Sequence, residues 1–97
     1  MAAKHGFEAL LQEALDLPDE KKIYFNGFIV SMSPTDAVIV LQNNNKPIAY
    51  LNTTHTIAKT LANQLNGIIK NFEKDTKRKI PTLDQIVKAV SDNANTE

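Results

Sequence analysis

The sequence predicts an α+β fold: a short N-terminal helix, a three-stranded antiparallel meander, a long amphipathic helix packed on the sheet and a short C-terminal helix. Three observations favour it. Aromatic and β-branched residues are concentrated between residues 23 and 51, and short turn-forming segments divide them into three runs. The segment that follows carries apolar residues at helical spacing. With 97 residues, the chain has room for a single domain over residues 1–97.

The first helix is predicted over residues 6–17, where apolar residues from Phe7 to Leu15 recur at helical spacing. Pro18 ends it, because proline disfavours helical geometry at the residue before it. The strands are predicted over residues 22–32, 36–42 and 47–52. Ser33-Pro34-Thr35-Asp36 has the composition of a tight turn, and Asn43-Asn44-Asn45-Lys46 tolerates the positive φ of a hairpin loop.

The long helix is predicted over residues 54–75, with Thr53 or Thr54 as its cap. Its apolar stripe consists of Ile57, Ala58, Leu61, Ala62, Leu65, Ile68, Ile69 and Phe72. A short helix over residues 82–91 begins with a capping box, in which Thr82 and Gln85 cap each other's backbone. The polar residues 92–97 are expected to form a frayed tail.

The predicted strands carry apolar residues on both of their faces, unlike a sheet with one solvated face. The long helix can cover only one face, so we expect the short helices or a second chain to cover the other. A three-stranded sheet also has two edges with unpaired backbone groups. The sequence therefore predicts a homo-oligomer, most simply a dimer. The candidate interface residues are Tyr24, Asn26, Phe28, Val38 and Val40.

Composition argues against several classes of function. Eleven basic and eleven acidic residues give a formal charge of zero, which does not favour a general nucleic-acid binder. The chain has no cysteine, two separated histidines (His5 and His55) and no nucleotide-binding or nucleophile motif. We therefore expect no enzyme, no cofactor and no metal site. Without a signal peptide or an apolar segment of membrane-spanning length, the expected location is the cytoplasm, with no membrane partner.

One basic cluster stands out near the end of the long helix: Lys70, Lys74, Lys77, Arg78 and Lys79. The simpler interpretation is a solvated helix C-terminus, where positive charge suits the helix dipole. The alternative is a contact for nucleic acid or another anionic surface. Because no aromatic residues are interleaved with these cations, stacking on a single strand is not implied.

Residues 24–75 resemble domain-of-unknown-function family 3467, which comprises short bacterial and archaeal proteins. The resemblance rests on Tyr24-Phe25-Asn26, on Ser33-Pro34-Thr35-Asp36, and on helix positions Ala58-Lys59, Leu61, Leu65, Ile68 and Asn71-Phe72-Glu73. It implies a strand-rich half followed by a long helix, and it implies no activity. Family members often carry glycine just after the helix, where this chain has Thr76-Lys77.

The leading functional hypothesis is a non-enzymatic, oligomeric interaction or regulatory protein that binds a protein partner. A nucleic-acid-associated protein that uses the basic end of the long helix is the first alternative. A chaperone-like peptide binder is the second, because the order of elements resembles that of SecB-like export chaperones, which oligomerise and bind unfolded chains. That likeness concerns the fold alone.

Overall fold

The computed structural model describes the backbone of residues 2–95 and the side chains of residues 6–92. The elements follow one another as α1 (Ala2–Leu15), a short 3-10 helix (Asp19–Lys21), β1 (Gly27–Met32), β2 (Ala37–Asn43), β3 (Lys46–Thr53), α2 (His55–Thr76) and α3 (Leu83–Asn95). This order confirms the predicted α+β fold. The residues group into two units, Met1–Thr54 and His55–Glu97. The assignment to a single domain and the packing of α2 on the sheet stay predictions.

The three strands form one antiparallel sheet in the order β1-β2-β3. Residues opposite each other on neighbouring strands share a face, so the register defines two faces. The Phe28 face contains Phe28, Val30, Met32, Ala37, Ile39, Leu41, Ala49 and Leu51. The Ile29 face contains Ile29, Ser31, Val38, Val40, Tyr50 and Asn52. Both faces are rich in apolar residues, as the sequence predicts.

The first strand begins at Gly27, so the predicted start at residue 22 is wrong. The register explains the difference. Gly27 lies opposite Gln42, and β2 ends one residue later, at Asn43, where the hairpin turn begins. Residues before Asn26 therefore have no β2 backbone opposite them. A strand requires a neighbouring strand as well as residues with strand propensity. The segment Ile23, Tyr24 and Phe25 has the propensity but no neighbouring strand.

The β2–β3 connection is a tight hairpin whose two central residues have positive φ, 53° for Asn44 and 70° for Asn45. Positive φ at both positions is typical of a type I′ turn, which matches the twist of paired strands. Asparagine tolerates this geometry better than most residues because its short side chain bonds locally. The asparagine run therefore forms the predicted hairpin.

The helix boundaries differ from the prediction mainly at the two ends of the chain. Helix α1 begins at Ala2, since Ala2, Ala3 and Lys4 are good helix formers. Helix α3 continues to Asn95, so residues 92–95 are helical and not a frayed tail. Once the first turn after Thr82 has formed, each further residue of the helix adds one backbone hydrogen bond. Residues 96–97 lie outside the described part of the chain.

The buried core is very small. Among the described side chains, Ala37 and Leu41 are the buried apolar residues, at 4% and 7% exposure. Both belong to the central strand and to the Phe28 face. Within the described residues, the helices are all too short or too polar to cross a bilayer.

Candidate functional site

The predicted interface residues do not form one surface. Phe28 lies opposite Leu41 on the Phe28 face, whereas Val38 and Val40 belong to the Ile29 face. Tyr24 precedes the sheet and is 77% exposed. Of the predicted set, the structure brings together only Val38 and Val40. Phe28 and these two valines therefore lie on opposite faces of the sheet.

Asn26 has a local structural role. Its backbone N–H donates to the Gln42 carbonyl at 3.0 Å. Its side-chain Oδ1 accepts from the backbone N–H of Asn44 at 2.9 Å, and its Nδ2 donates to Asn44 Oδ1 at 3.1 Å. These three bonds tie the start of β1 to the β2–β3 turn. The amide thus fixes the start of β1 against the β2–β3 turn, which is one of the roles that a polar residue among aromatics suggests.

Both faces of the sheet expose large apolar side chains, above all at β1. On the Phe28 face, Val30 is 63% exposed and Met32 is 64% exposed. On the Ile29 face, Ile29 is 55% exposed and Tyr50 is 66% exposed. A contiguous apolar surface of this kind on a protein generally marks an interaction site.

The helices of the second unit also expose their apolar stripes. On α2, Leu65 and Ile68 are 50% and 65% exposed, and the helix has no buried residue. On α3, Val87 and Val90 are 65% and 63% exposed. Each stripe has the spacing of a helix that buries one side against a neighbour. These stripes form a second class of candidate interaction surface.

A polar brace at the β1–β2 turn was not recognised from the sequence. The Ser33 hydroxyl donates to Asp36 Oδ1 at 2.6 Å and accepts from the backbone N–H of Asp36 at 3.0 Å. Asn52 Nδ2 donates to Asp36 Oδ2 at 2.8 Å, which links the turn to β3. The Ser-Pro-Thr-Asp motif predicts the local turn. Nothing local in the sequence predicts the bond to Asn52, sixteen residues away.

The basic cluster spans the C-terminal end of α2 and the residues that follow it. Lys77 follows the helix with a left-handed φ of 56°, and the N–H of Arg78 donates to the Glu73 carbonyl at 3.2 Å. This is the Schellman motif, in which the residue after the helix adopts a conformation that glycine usually supplies. Lys77 therefore holds a conformation that glycine adopts more easily.

Glu73 then fixes the segment that follows the cap. Its Oε2 accepts from the backbone N–H of Ile80 at 2.8 Å, and its Oε1 lies 4.0 Å from Lys79 Nζ. The Glu73 side chain is only 18% exposed, whereas that of Lys79 is 94% exposed. The Glu73 carboxylate therefore acts mainly through its hydrogen bond to the backbone of Ile80. The ion pair with Lys79 is long and exposed, so it contributes little to stability.

All five predicted basic residues line one concavity of about 380 Å³, together with Glu73. The set consists of Lys70, Lys74, Lys77, Arg78 and Lys79. Five cations and one carboxylate leave a formal excess of four positive charges in a chain whose formal charge is zero. The structure thus confirms that these residues share one surface.

Among the described residues, no cluster of three side chains suited to hold a metal ion occurs. His55 is the first residue of α2. The side chain of His5 lies outside the described part of the chain.

Comparison of the chain with protein-family models, with curated proteins and with solved structures gave no match. The resemblance to domain-of-unknown-function family 3467 therefore stays a prediction from the residues quoted above.

Proposed function

We propose that this protein is a non-enzymatic interaction or regulatory protein that acts as a homo-oligomer, in the simplest case a two-fold dimer, and binds a protein partner. The observation that supports this most directly is the exposure of apolar side chains on both faces of one sheet. Ile29 and Val30 are neighbours in β1 that point to opposite faces, and more than half of each is exposed. Burying a side chain of this type stabilises a protein by roughly 1.5–3 kcal/mol.

Gel filtration with light scattering tests the oligomer. We expect a mass of at least twice the 10.8 kDa of one chain at micromolar concentration. The mass of a single chain under these conditions would overturn the proposal, because it would mean that the helices of the same chain cover the apolar surfaces. Suppression of the aggregation of an unfolded client by the oligomer would identify the partner as an unfolded peptide, as in a chaperone.

The basic concavity favours a second candidate function, which is association with nucleic acid through its phosphates. Five cations on one surface would release counterions on binding, so the affinity for a short DNA duplex should fall steeply with salt. For the formal excess of four positive charges, we expect a slope of log K against log salt of about −3 to −4.

Charge-removing substitutions within and outside the concavity test this second candidate. Lys70→Gln and Lys74→Gln should each make the slope shallower by about one unit. Lys88→Gln, which removes a lysine of α3 that does not line the concavity, should leave the slope unchanged. No binding at low salt, or an equal effect of all three substitutions, would reject this function.

A further inference from the structure

We infer that β1 is the strand through which two copies of this chain pair, antiparallel and about a two-fold axis, to form a continuous six-stranded sheet. The inference rests on the proposed homo-oligomer and identifies its contact. The sheet order β1-β2-β3 leaves two edges, and each edge strand presents a row of backbone groups that point away from the sheet. The two edges differ in how they are protected.

The β3 edge carries three protective features at its start. Lys46 is a charged residue at the beginning of the strand, and Pro47 has no N–H to offer a neighbour. The register shifts between Leu41 and Gln42, which are paired with Ala49 and Pro47, so Ile48 is an extra residue in β3. Such a bulge twists an edge and interrupts further pairing. About half of β3 is therefore unsuited to an additional strand.

The β1 edge has none of these features. Its six residues, Gly27–Met32, include no charge and no proline. Their register with β2 runs without a shift over the whole strand. The strand carries the strongly exposed Phe28, Val30 and Met32 on one face and Ile29 on the other. A regular, uncharged apolar edge of this kind is a template for pairing with another strand.

Symmetry makes a second copy the natural occupant. A two-fold axis perpendicular to the sheet places each β1 residue opposite a residue of the same face in the other copy. The Phe28 face and the Ile29 face would therefore both continue across the contact. Next to the two-fold axis, an isologous contact brings a charge close to its own equivalent, and β1 contains no charge that could repel itself there.

Edge pairing is compatible with a helix covering either face. It uses backbone groups of β1, whereas a covering helix uses the side chains of a face. The predicted packing of α2 on the sheet would thus leave the β1 edge available. The inference therefore holds whichever element covers the faces.

Cysteine cross-linking tests the contact directly, because the chain has no native cysteine. A residue next to the two-fold axis lies opposite its own equivalent with Cβ atoms about 4.5–5.5 Å apart, close enough for a disulfide after small adjustment. Among Ile29→Cys, Val30→Cys and Ser31→Cys, we expect at least one to form a disulfide-linked dimer in high yield. Leu51→Cys on β3 is the control and should remain largely unlinked.

A charge substitution provides an independent readout. Val30 and Leu51 both lie opposite Ile39 in the same row, on β1 and β3 respectively. Val30→Lys should raise the dimer dissociation constant by at least about tenfold, because it places a charge in the middle of an apolar edge that would pair with a second copy. Leu51→Lys should change it far less. Circular dichroism checks that both variants fold. If Val30→Lys does not fold, the cysteine variants test the β1 contact instead.

The outcomes separate this inference from the proposed function. A dimer that survives Val30→Lys and does not cross-link through β1 would overturn the β1 contact but leave the homo-oligomer in place. A wild-type chain that is monomeric at micromolar concentration would overturn both. A dimer that cross-links through Leu51→Cys instead would assign the contact to β3 and reject β1.

Discussion

At the scale of single residues, Asn26 shows how one amide can connect parts of the chain that are distant in sequence. It forms hydrogen bonds to the β2–β3 turn through both polar atoms of its side chain, Oδ1 and Nδ2. These bonds are exposed, so each contributes about 0.5–1.5 kcal/mol at most. The residue is therefore expected to contribute to stability and not to partner binding.

We expect Asn26→Ala to lower the free energy of unfolding by about 1–2 kcal/mol, because it removes both side-chain bonds to Asn44. Urea denaturation followed by circular dichroism measures the change. Asn63→Ala, on the exposed surface of α2, is the control and should have no effect or a slightly stabilising one. Equal stability of Asn26→Ala and wild type would contradict the structural role of Asn26.

Lys77 is a second residue whose backbone conformation has a measurable cost. A left-handed conformation costs an ordinary L-residue roughly 1–2 kcal/mol, whereas glycine adopts it freely. Glycine also loses more entropy on folding. We expect Lys77→Gly to raise the free energy of unfolding by about 0.5–1 kcal/mol.

Lys74→Gly is the matched control for this substitution, because Lys74 lies within α2 and Lys77 lies just after it. Glycine inside a helix should lower the free energy of unfolding by about 0.5–1 kcal/mol. Opposite signs for the two variants in the same denaturation assay would confirm the cap. A loss of stability in both would contradict it.

At the scale of elements, some of the hydrogen bonds that stabilise the secondary structure are local in sequence and others are long-range. The α3 start is a complete capping box: Thr82 N–H donates to Gln85 Oε1 at 2.8 Å, and Gln85 N–H donates to Thr82 Oγ1 at 3.2 Å. The sequence predicts this box because both partners lie within four consecutive residues. The brace at Asp36 is different, since its two carboxylate oxygens join the β1–β2 turn to β3.

We expect Asp36→Ala to lower the free energy of unfolding by about 1.5–3 kcal/mol, since it removes two hydrogen bonds to a charged acceptor. Asp19→Ala, in the exposed 3-10 helix, is the control and should cost much less. Chemical denaturation measures both variants. If Asp36→Ala costs no more than Asp19→Ala, the Asp36 carboxylate does not brace the sheet.

At the scale of the whole molecule, the proposed dimer links stability to concentration. If folding and association are coupled, raising the protein concentration 100-fold stabilises the folded state by about 2.7 kcal/mol. We expect the apparent melting temperature to rise by roughly 5–10 °C over that range. Scanning calorimetry or circular dichroism measures the shift.

Val30→Lys is the control for this concentration dependence, because it should weaken the β1 contact while Leu51→Lys retains it. The dependence should persist in Leu51→Lys and be reduced in Val30→Lys. A melting temperature that does not change with concentration in the wild type would contradict an obligate dimer.

Several features of this fold follow from rules that concern only residues close together in sequence. The type and order of the elements, the asparagine hairpin and the Thr82 capping box all follow from residues within one turn or one alternating run. The start of β1 does not, since Ile23, Tyr24 and Phe25 have strand propensity but no opposing backbone. For the candidate site, the basic residues lie on one surface because they are close in sequence, from Lys70 to Lys79.

The sequence by itself determined which residues alternate along each strand and which residues form the helical stripes, because both patterns are periodic within one segment. Only the tertiary structure decided that Phe28 shares a face with Leu41 and not with Val38 or Val40. Alternation within a strand divides its residues into two sets, but the register between strands decides which sets share a face. Register is also what leaves β1 as a regular edge and gives β3 its bulge at Ile48. For that reason, the strand proposed to pair with a second copy could be chosen only once the sheet was described.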